Sequence, residues 1–292
     1  MPPDWALIRR ALSAAGLDVP DEPPRRVGGG DIAAAYALET TSGKVFLKLM
    51  AAREASVLEA EADGLAAIAA TGAVRTPAVL GQGVATSDAW LALEWLPLER
   101  LGRDASAELG RQLADMHRAT GPRHGWRRDN WIGRTPQRNA MQDDWVRFYR
   151  DERLGFQLEL AATNGFGGRL AQRGKTLMDA LPALFTDYAP TPSLLHGDLW
   201  GGNAASSASV PVIFDPAVYY GDRETDIAMT RLFGGFGDAF YRAYEAAWPL
   251  DAGYSRREPL YQLYHVLNHL NLFGSGYLGR AEALIDEVLR SA

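Results

Sequence analysis

The chain has 292 residues, 47% of them hydrophobic and 23% charged, with a formal net charge of −6. This excludes a disordered chain and fits one large domain or two lobes sharing a cleft; without a run of Lys or Arg, no nucleic-acid partner is expected. There is no cysteine, so disulfides and thiolate metal sites are excluded. The opening MPPDWALIRRALSAAGL lacks an apolar signal core, and no window reaches membrane-span length; a cytoplasmic protein with no membrane partner is expected.

WALIRRALSAAG puts Trp5, Ile8, Leu12 and Ala15 at helical spacing, with Gly16 as the stop. After the Pro-rich VPDEPP, residues 25–50 read as three β segments. The first ends at the glycines 28–30, the second covers residues 34–40, and VFLKLM follows a turn at TSGK. REASVLEAEADGLAAIAATG is a helix with Val57, Leu58, Leu65 and Ile68 on one face and Gly72 as its cap. Residues 74–99 give two more strands around a turn at Ser87-Asp88.

The pattern turns helical near Ser106. SAELGRQLADMHRAT carries Leu109, Leu113 and Met116 on one stripe, and QDDWVRFYRDERLGFQLELAATNG and GGRLAQRGKTLMDALPALF are two further amphipathic helices. A short β pair precedes DRETDIAMTRLFGGFGDAFYRAYEAAW and REPLYQLYHVLNHLNLFGSGYLGRAEALIDEVLR. In the latter, Leu260, Leu263, Tyr264, Leu267 and Leu270 form a core stripe. The change from strands to helices falls in EWLPLE, which predicts a smaller lobe over residues 1–96 and a helical lobe over 97–292. The fold class expected is α+β, bilobal.

Three features converge on a nucleoside triphosphate. GGGD, residues Gly28, Gly29, Gly30 and Asp31, offers a glycine turn between strands whose N–H groups can approach phosphates. Lysine occurs only at positions 44, 48 and 175. Lys48, flanked by leucines in a strand, needs an anionic partner, and a Glu at 59 or 61 on the next helix is placed for it. LLHGDLWGGN then places Asp198 and Asn203 five residues apart, and a second apolar run ends on Asp215. A carboxylate to take a hydroxyl proton, with an amide and a second carboxylate to hold Mg²⁺ against phosphates, is the kinase arrangement H-x-D-L-x-x-x-N followed by a metal-binding Asp. Gly197 stands where protein kinases carry Arg, and the segment after Asp215 is short, so a small-molecule kinase without activation-loop control is predicted.

HGDLWGGN, FDPAVYYGDRETDIAMTRLFGGF, DNWIGRTPQRN, DWVRFYRDERL and YQLYHVLNHLNLFGSGY together resemble the fructosamine kinase (ketosamine 3-kinase) family, across residues 26–277. This is a branch of the protein-kinase-like superfamily that includes aminoglycoside and choline kinases. The resemblance implies ATP-dependent phosphorylation of the 3-hydroxyl of a ketosamine of fructosamine or ribulosamine type, whose product decomposes to release the amine, in deglycation repair. It implies Asp198 as catalytic base, Asn203 and Asp215 on Mg²⁺, and Lys48 on the α/β phosphates with Glu61 as partner. Glu94, Trp95 and Leu96 are the hinge that meets adenine through backbone groups, and Asp226 braces the catalytic loop. Trp200 is expected either to offer the sugar a stacking face, the favoured reading, or to fill core. The family loop commonly carries Asn where this chain has Ala33, which predicts a looser cover over the phosphates. Some members carry a loop Cys; this chain has none, so thiol-based redox control is excluded here. The alternatives are another small hydroxyl acceptor, an aminoglycoside or amino alcohol, or a nucleotide-binding pseudokinase.

Several signals are read as structural. His265 and His269 lie four apart without the Glu of a zincin motif or a third ligand. His117 and His124 are expected at the surface or as caps, Arg–Asp–Glu charge clusters as solvated faces. The aromatic density from Phe240 to Tyr264 is expected to be mostly core.

Overall fold

Helix α1 (Trp5–Ala14) opens the chain in the computed structural model, which describes residues 3–22, 24–28, 33–41 and 43–291. Asp4 caps it by accepting from the N–H groups of Ala6 and Leu7. Gly16, at φ +84°, ends it, and Leu17 N–H closes back on Leu12 O at 2.9 Å. Strands β1 (Arg25–Arg26), β2 (Ala34–Thr40) and β3 (Gly43–Ala51) follow, then helix α2 (Ala55–Ala70), β4 (Val79–Ala85) and β5 (Asp88–Glu94). They form one antiparallel sheet in the order β1-β2-β3-β5-β4. The β4–β5 turn sits one residue earlier than the sequence suggests: Thr86 takes the positive φ and Asp88 already pairs with Ala85.

The two-residue period of β3 decides what each face meets. Val45, Leu47 and Leu49 pack with Ile8 and Leu12 of α1. Phe46 and Met50 face the opposite cluster with Leu58, Ala62 and Leu65 of α2. Lys48 shares that second face.

Beyond Glu94 the chain becomes mainly helical. In order come α3 (Arg103–His117), the hairpin β6 (Asn130–Ile132) and β7 (Thr135–Gln137), α4 (Trp145–Phe148), a π-helical segment over Tyr149–Gly155, α5 (Phe156–Thr163) and α6 (Arg169–Ala180). The single amphipathic helix expected near 145–163 therefore has a wide turn inside it. Four short strands follow: β8 (Ser193–Leu195), β9 (Ala204–Ser207), β10 (Val210–Ile213) and β11 (Tyr219–Gly221). Helices α7 (Glu224–Leu232), α8 (Asp238–Ala247), α9 (Tyr254–Phe273) and α10 (Leu278–Ser291) complete the chain. The core stripe on α9, from Leu260 to Leu270, is fully buried. No helix among the described residues is long and apolar enough to cross a membrane.

Two expectations about charged groups fail. His117 and His124 are buried, and so is Arg153 of the cluster RDER. His117 is held by Asp226 and Tyr244, residues remote in sequence. The Arg153 guanidinium lies 4.0 Å from the Tyr219 ring centre and donates to Asn139 Oδ1 at 2.7 Å. A planar cation sandwiched by aromatic faces and bonded to an amide tolerates burial that a lone charge would not.

Candidate active site

The opening and closing ends of the small strands build the loop that carries Asp198 and Asn203. β8 pairs with β11, Leu195 opposite Tyr219, and this sets residues 196–198 beside residues 215–218. Between them β9 and β10 form a hairpin whose turn residues Ala208 and Ser209 both have positive φ, the two-residue turn that matches strand twist. Asn203 precedes β9 and Phe214 follows β10, and Phe214 N–H donates to Asn203 O at 3.0 Å. The amide and the second carboxylate are thus brought together by one hairpin.

Asp198 is half-buried. Its main-chain O and its Oδ2 lie 2.9 and 3.4 Å from Asn203 Nδ2. Burial, with Asp215 and Asp226 close by, pushes its carboxyl up to about 7, against the donation from Asn203. His196 Nε2 lies 3.0 Å from Phe214 O, an acceptor, so that nitrogen carries the proton and Nδ1 accepts from Asp198 N–H at 3.3 Å. Beneath the loop, Asp226 accepts from the main-chain N–H groups of His196 at 2.7 Å and Gly197 at 2.9 Å, and from His117 Nε2 at 3.1 Å. Burial alone would raise Asp226, but the bond from His117 holds it below the usual carboxylate range.

Gly197 explains the missing arginine. Its φ is +81°, and a Cβ there would lie 2.1 Å from Ala217 O. No side chain fits, because Ala217 N–H is itself tied to His196 O at 2.8 Å.

Lys48 reaches across from the sheet. Its Nζ is 2.7 Å from Glu61 Oε1 and 2.5 Å from Asp215 Oδ1. Burial works against the ammonium, but the two carboxylates more than offset it and raise its pKa. Burial pushes Glu61 up to about 7, Lys48 opposing. Burial also pushes Asp215 up, yet Lys48 beside it wins and holds it below the ordinary value. Asp215 is one of the few non-glycine residues at positive φ, +57°. Glu59, the other candidate, is near the surface, 3.3 Å from Arg128.

Helix α2, which carries Glu61, is fastened to the second half of the chain. Trp126 Nε1 donates to Asp63 Oδ2 at 2.9 Å, and Arg127 pairs with the same carboxylate. At Gly64 the helix lies so close that a Cβ would be 3.0 Å from Pro216 Cγ and 3.3 Å from Val218 Cγ1.

Lys48, Glu61, Asp198, Asn203 and Asp215 line a cleft of about 1110 Å³. At one end stand Gly28, Ala33, Phe46 and the segment Glu94–Leu96; Gly29, Gly30 and Asp31 lie outside the described residues. The Glu94 side chain is committed to Arg75 at 2.8 Å, and its N–H to Ala78 O at 2.8 Å. Lys44 Nζ sits 4.4 Å from the Trp95 ring centre. The other end is aromatic, with Trp131, Trp200, Phe233, His269, Phe273 and Tyr277. Apart from Trp200 this wall was not anticipated, and none of the aromatics from Phe240 to Tyr264 is in it. The signal that finds it is the i, i+4, i+8 series His265, His269, Phe273 on α9. His265 is buried with Nδ1 3.9 Å from Asp198 Oδ1, and burial drops its pKa to about 3.

Among the described residues no group of three or more His, Asp or Glu side chains could hold a metal by itself. Asn203 and Asp215 supply two hard oxygen donors, which fits an ion carried largely by nucleotide phosphates and water, as Mg²⁺ is.

A cation from a β sheet paired to a helix acid, facing a loop that presents Asp198, Asn203 and Asp215, defines a phosphotransferase of protein-kinase-like fold. A family model described as fructosamine kinase matches residues 5–291. The chain belongs to that family. It is 42% identical to a protein named probable ketoamine kinase from Synechocystis, over 99% of this chain and 98% of that one. It is 43% identical to a chloroplastic protein-ribulosamine 3-kinase of Arabidopsis thaliana, over 90% of this chain and 82% of the relative. A crystal structure assigned as a fructosamine-3-kinase from Haemophilus somnus superposes with a TM-score of 0.89 at 29% identity, covering 98% of this chain and 97% of that one. An aminoglycoside phosphotransferase shares the fold alone, at TM-score 0.63 and 15% identity, over 96% of this chain and 97% of that one.

Proposed function

We propose that the protein is an ATP-dependent ketosamine 3-kinase acting in deglycation repair. The γ-phosphoryl group of ATP passes to the C3 hydroxyl of a fructosamine- or ribulosamine-type acceptor, leaving ADP and the 3-phosphate. Residues 1–96 form the nucleotide lobe and the remainder the catalytic and acceptor lobe.

Asp198 accepts the hydroxyl proton as the oxygen attacks phosphorus. A carboxyl near neutrality is matched to that task, since it exists as the base at working pH yet is basic enough to hold the proton. Lys48 binds the α/β phosphates and Glu61 fixes its position. Backbone groups of Glu94, Trp95 and Leu96 meet the adenine, and the glycine turn at 28–30 with Asp31 covers the phosphates. Asn203 and Asp215 hold Mg²⁺, which neutralises charge on the phosphates. The protein's contribution is placement and charge neutralisation.

The observation that carries this reading is the convergence of Lys48, Asp198, Asn203 and Asp215 on one cleft in a chain of this family. The same convergence disfavours a pseudokinase. The acceptor end disfavours an aminoglycoside. Among the described lining residues the carboxylates are Glu61, Glu94, Asp198 and Asp215, none of them on the aromatic wall. A polycation would need acidic groups there.

The test is ATP consumption with Mg²⁺ against a fructosyl-amine, a ribulosyl-amine, an aminoglycoside and choline. Turnover of the ketosamines alone supports the reading. Turnover of only another acceptor keeps the catalytic residues and overturns the substrate.

A further inference from the structure

We infer that Phe273 and Tyr277 form a subsite for the aglycone of the acceptor, the methylene chain of a lysine-type amine beyond the sugar. The inference rests on the ketosamine reading above and extends it to the part of the substrate that is not phosphorylated.

Helix α9 acts as a ruler leading away from the catalytic carboxylate. His265, His269 and Phe273 share one face, and each step of four residues advances about 6 Å. His265 Nδ1 is 3.9 Å from Asp198 Oδ1, so it marks the level of the reacting hydroxyl. From O3 of a ketosamine to its nitrogen there are four single bonds, roughly 5 Å. The amine therefore falls at the level of His269, one step out.

His269 suits that position. Its Nδ1 is 2.8 Å from His265 O, an acceptor, so Nδ1 carries the proton. The neutral ring then leaves Nε2 as an acceptor for an ammonium or hydroxyl proton. Burial holds the imidazole below its ordinary pKa, which keeps it neutral.

Phe273 stands a further step out, about 12 Å from the His265 level. Sugar and amine together do not reach it. Its ring centre is 5.4 Å from His269 and 6.3 Å from Tyr277, and Tyr277 is 5.1 Å from His269. On the other side Phe233 lies 4.7 Å from His269 and 6.2 Å from Trp200. A continuous aromatic strip thus runs from beside Asp198 to the rim of the cleft. Phe273 is 58% exposed, an unusual place for a phenyl ring that helps no core. A chain of methylenes leaving a cationic nitrogen is complementary to such a strip, through apolar contact along its length and cation–π attraction at the charge.

The experiment compares kcat/KM for Nε-fructosyl-lysine and for fructosyl-methylamine, which share the sugar and differ in the chain. Wild-type protein should prefer the longer acceptor. In Phe273→Ser and in Tyr277→Ser the long-to-short ratio should fall by about tenfold, through KM for the long acceptor rather than kcat. Phe273→Trp should keep the ratio. An unchanged ratio in both serine variants overturns the subsite and leaves the ketosamine reading standing. Wild-type protein that turns over neither acceptor overturns the ketosamine reading, and the subsite with it.

Discussion

Lys48 Nζ lies 2.5 Å from Asp215 Oδ1, although the two residues are 167 positions apart. One ammonium of the sheet holds a carboxylate that follows β10, and with Glu61 it forms a three-charge knot at the seam of the cleft. Two carboxylates around one cation leave a surplus negative charge, which a phosphate-bound divalent ion would balance. Lys48→Met should therefore lower kcat/KM for ATP on the order of 10²-fold, the usual effect of losing one charge-stabilising donor. Steady-state kinetics with varied ATP check this; wild-type rates in that variant would remove Lys48 from phosphate binding.

Helix α2 is set in place by contacts that cross the cleft. Gly64→Val would drive side-chain atoms into Pro216 and Val218 and lever Glu61 away from Lys48. The expected cost is about 1–3 kcal/mol of stability, as for other overpacked contacts, with a higher KM for ATP. Asp63→Asn weakens the same clamp with little change in volume, because it removes the charge that pairs with Arg127. Both are measured by denaturant unfolding alongside kinetics. A stability loss in Gly64→Val without a change in ATP KM would show that the clamp does not position Glu61.

The loop that carries Asp198 rests on Asp226. Asp226→Asn replaces one acceptor oxygen with an NH₂ group facing N–H donors of His196, Gly197 or His117. Leaving such a buried pair unsatisfied costs about 1–3 kcal/mol, and more where a charge was involved. Turnover should fall together with melting temperature. Gly197→Ala should be worse for activity, since its Cβ meets the Ala217 carbonyl oxygen and its backbone is left-handed. An active Gly197→Ala variant would contradict the geometry of the loop.

His124 provides a pH signature. It is 3% exposed, its ring centre lies 5.1 Å from that of Trp145 with the planes tilted by 53°, and its Nδ1 has no hydrogen-bond partner among the described residues. Burial lowers its pKa to about 4, with Asp144 and Asp143 opposing. Between about pH 6.5 and 4 the unfolded chain holds a proton that the folded chain refuses, so His124 removes stability as pH falls through that window. The full effect is roughly 3 kcal/mol. Other groups titrate too, and Glu224, raised to about 7, works in the opposite direction. The difference between wild type and His124→Gln isolates one residue: the variant should lose less stability between pH 6.5 and 4.5. Parallel pH profiles would contradict a neutral buried His124.

The readability of this chain follows the range of the interactions. Asp198 and Asn203 sit in one short loop, so spacing alone places them together, and the leucines on either side of Lys48 mark it as a strand cation that needs an anionic partner. The helix next in sequence offers Glu59 or Glu61 as the partner of Lys48, and only the family resemblance selects Glu61. The burial of His117 is not legible locally, because it depends on Asp226, 109 positions away, and on Tyr244, 127 away. The burial of Arg153 is not legible locally, because nothing near it in sequence announces the ring of Tyr219. The aromatic wall is hidden for a related reason: Phe233, Phe273 and Tyr277 come from the ends of two helices and the start of the next, and only folding aligns them.

The most direct test of the central claim is single-turnover phosphoryl transfer to a fructosyl-amine by wild-type protein and by Asp198→Ala, with ATP binding measured on both. The account predicts that Asp198→Ala binds ATP nearly as wild type does and transfers phosphate on the order of 10²–10⁴-fold more slowly, the usual contribution of a general base. Asp215→Ala, in contrast, should lose Mg²⁺-dependent nucleotide binding. Wild-type transfer by Asp198→Ala would contradict the assignment of the base, and with it the mechanism built on the cleft.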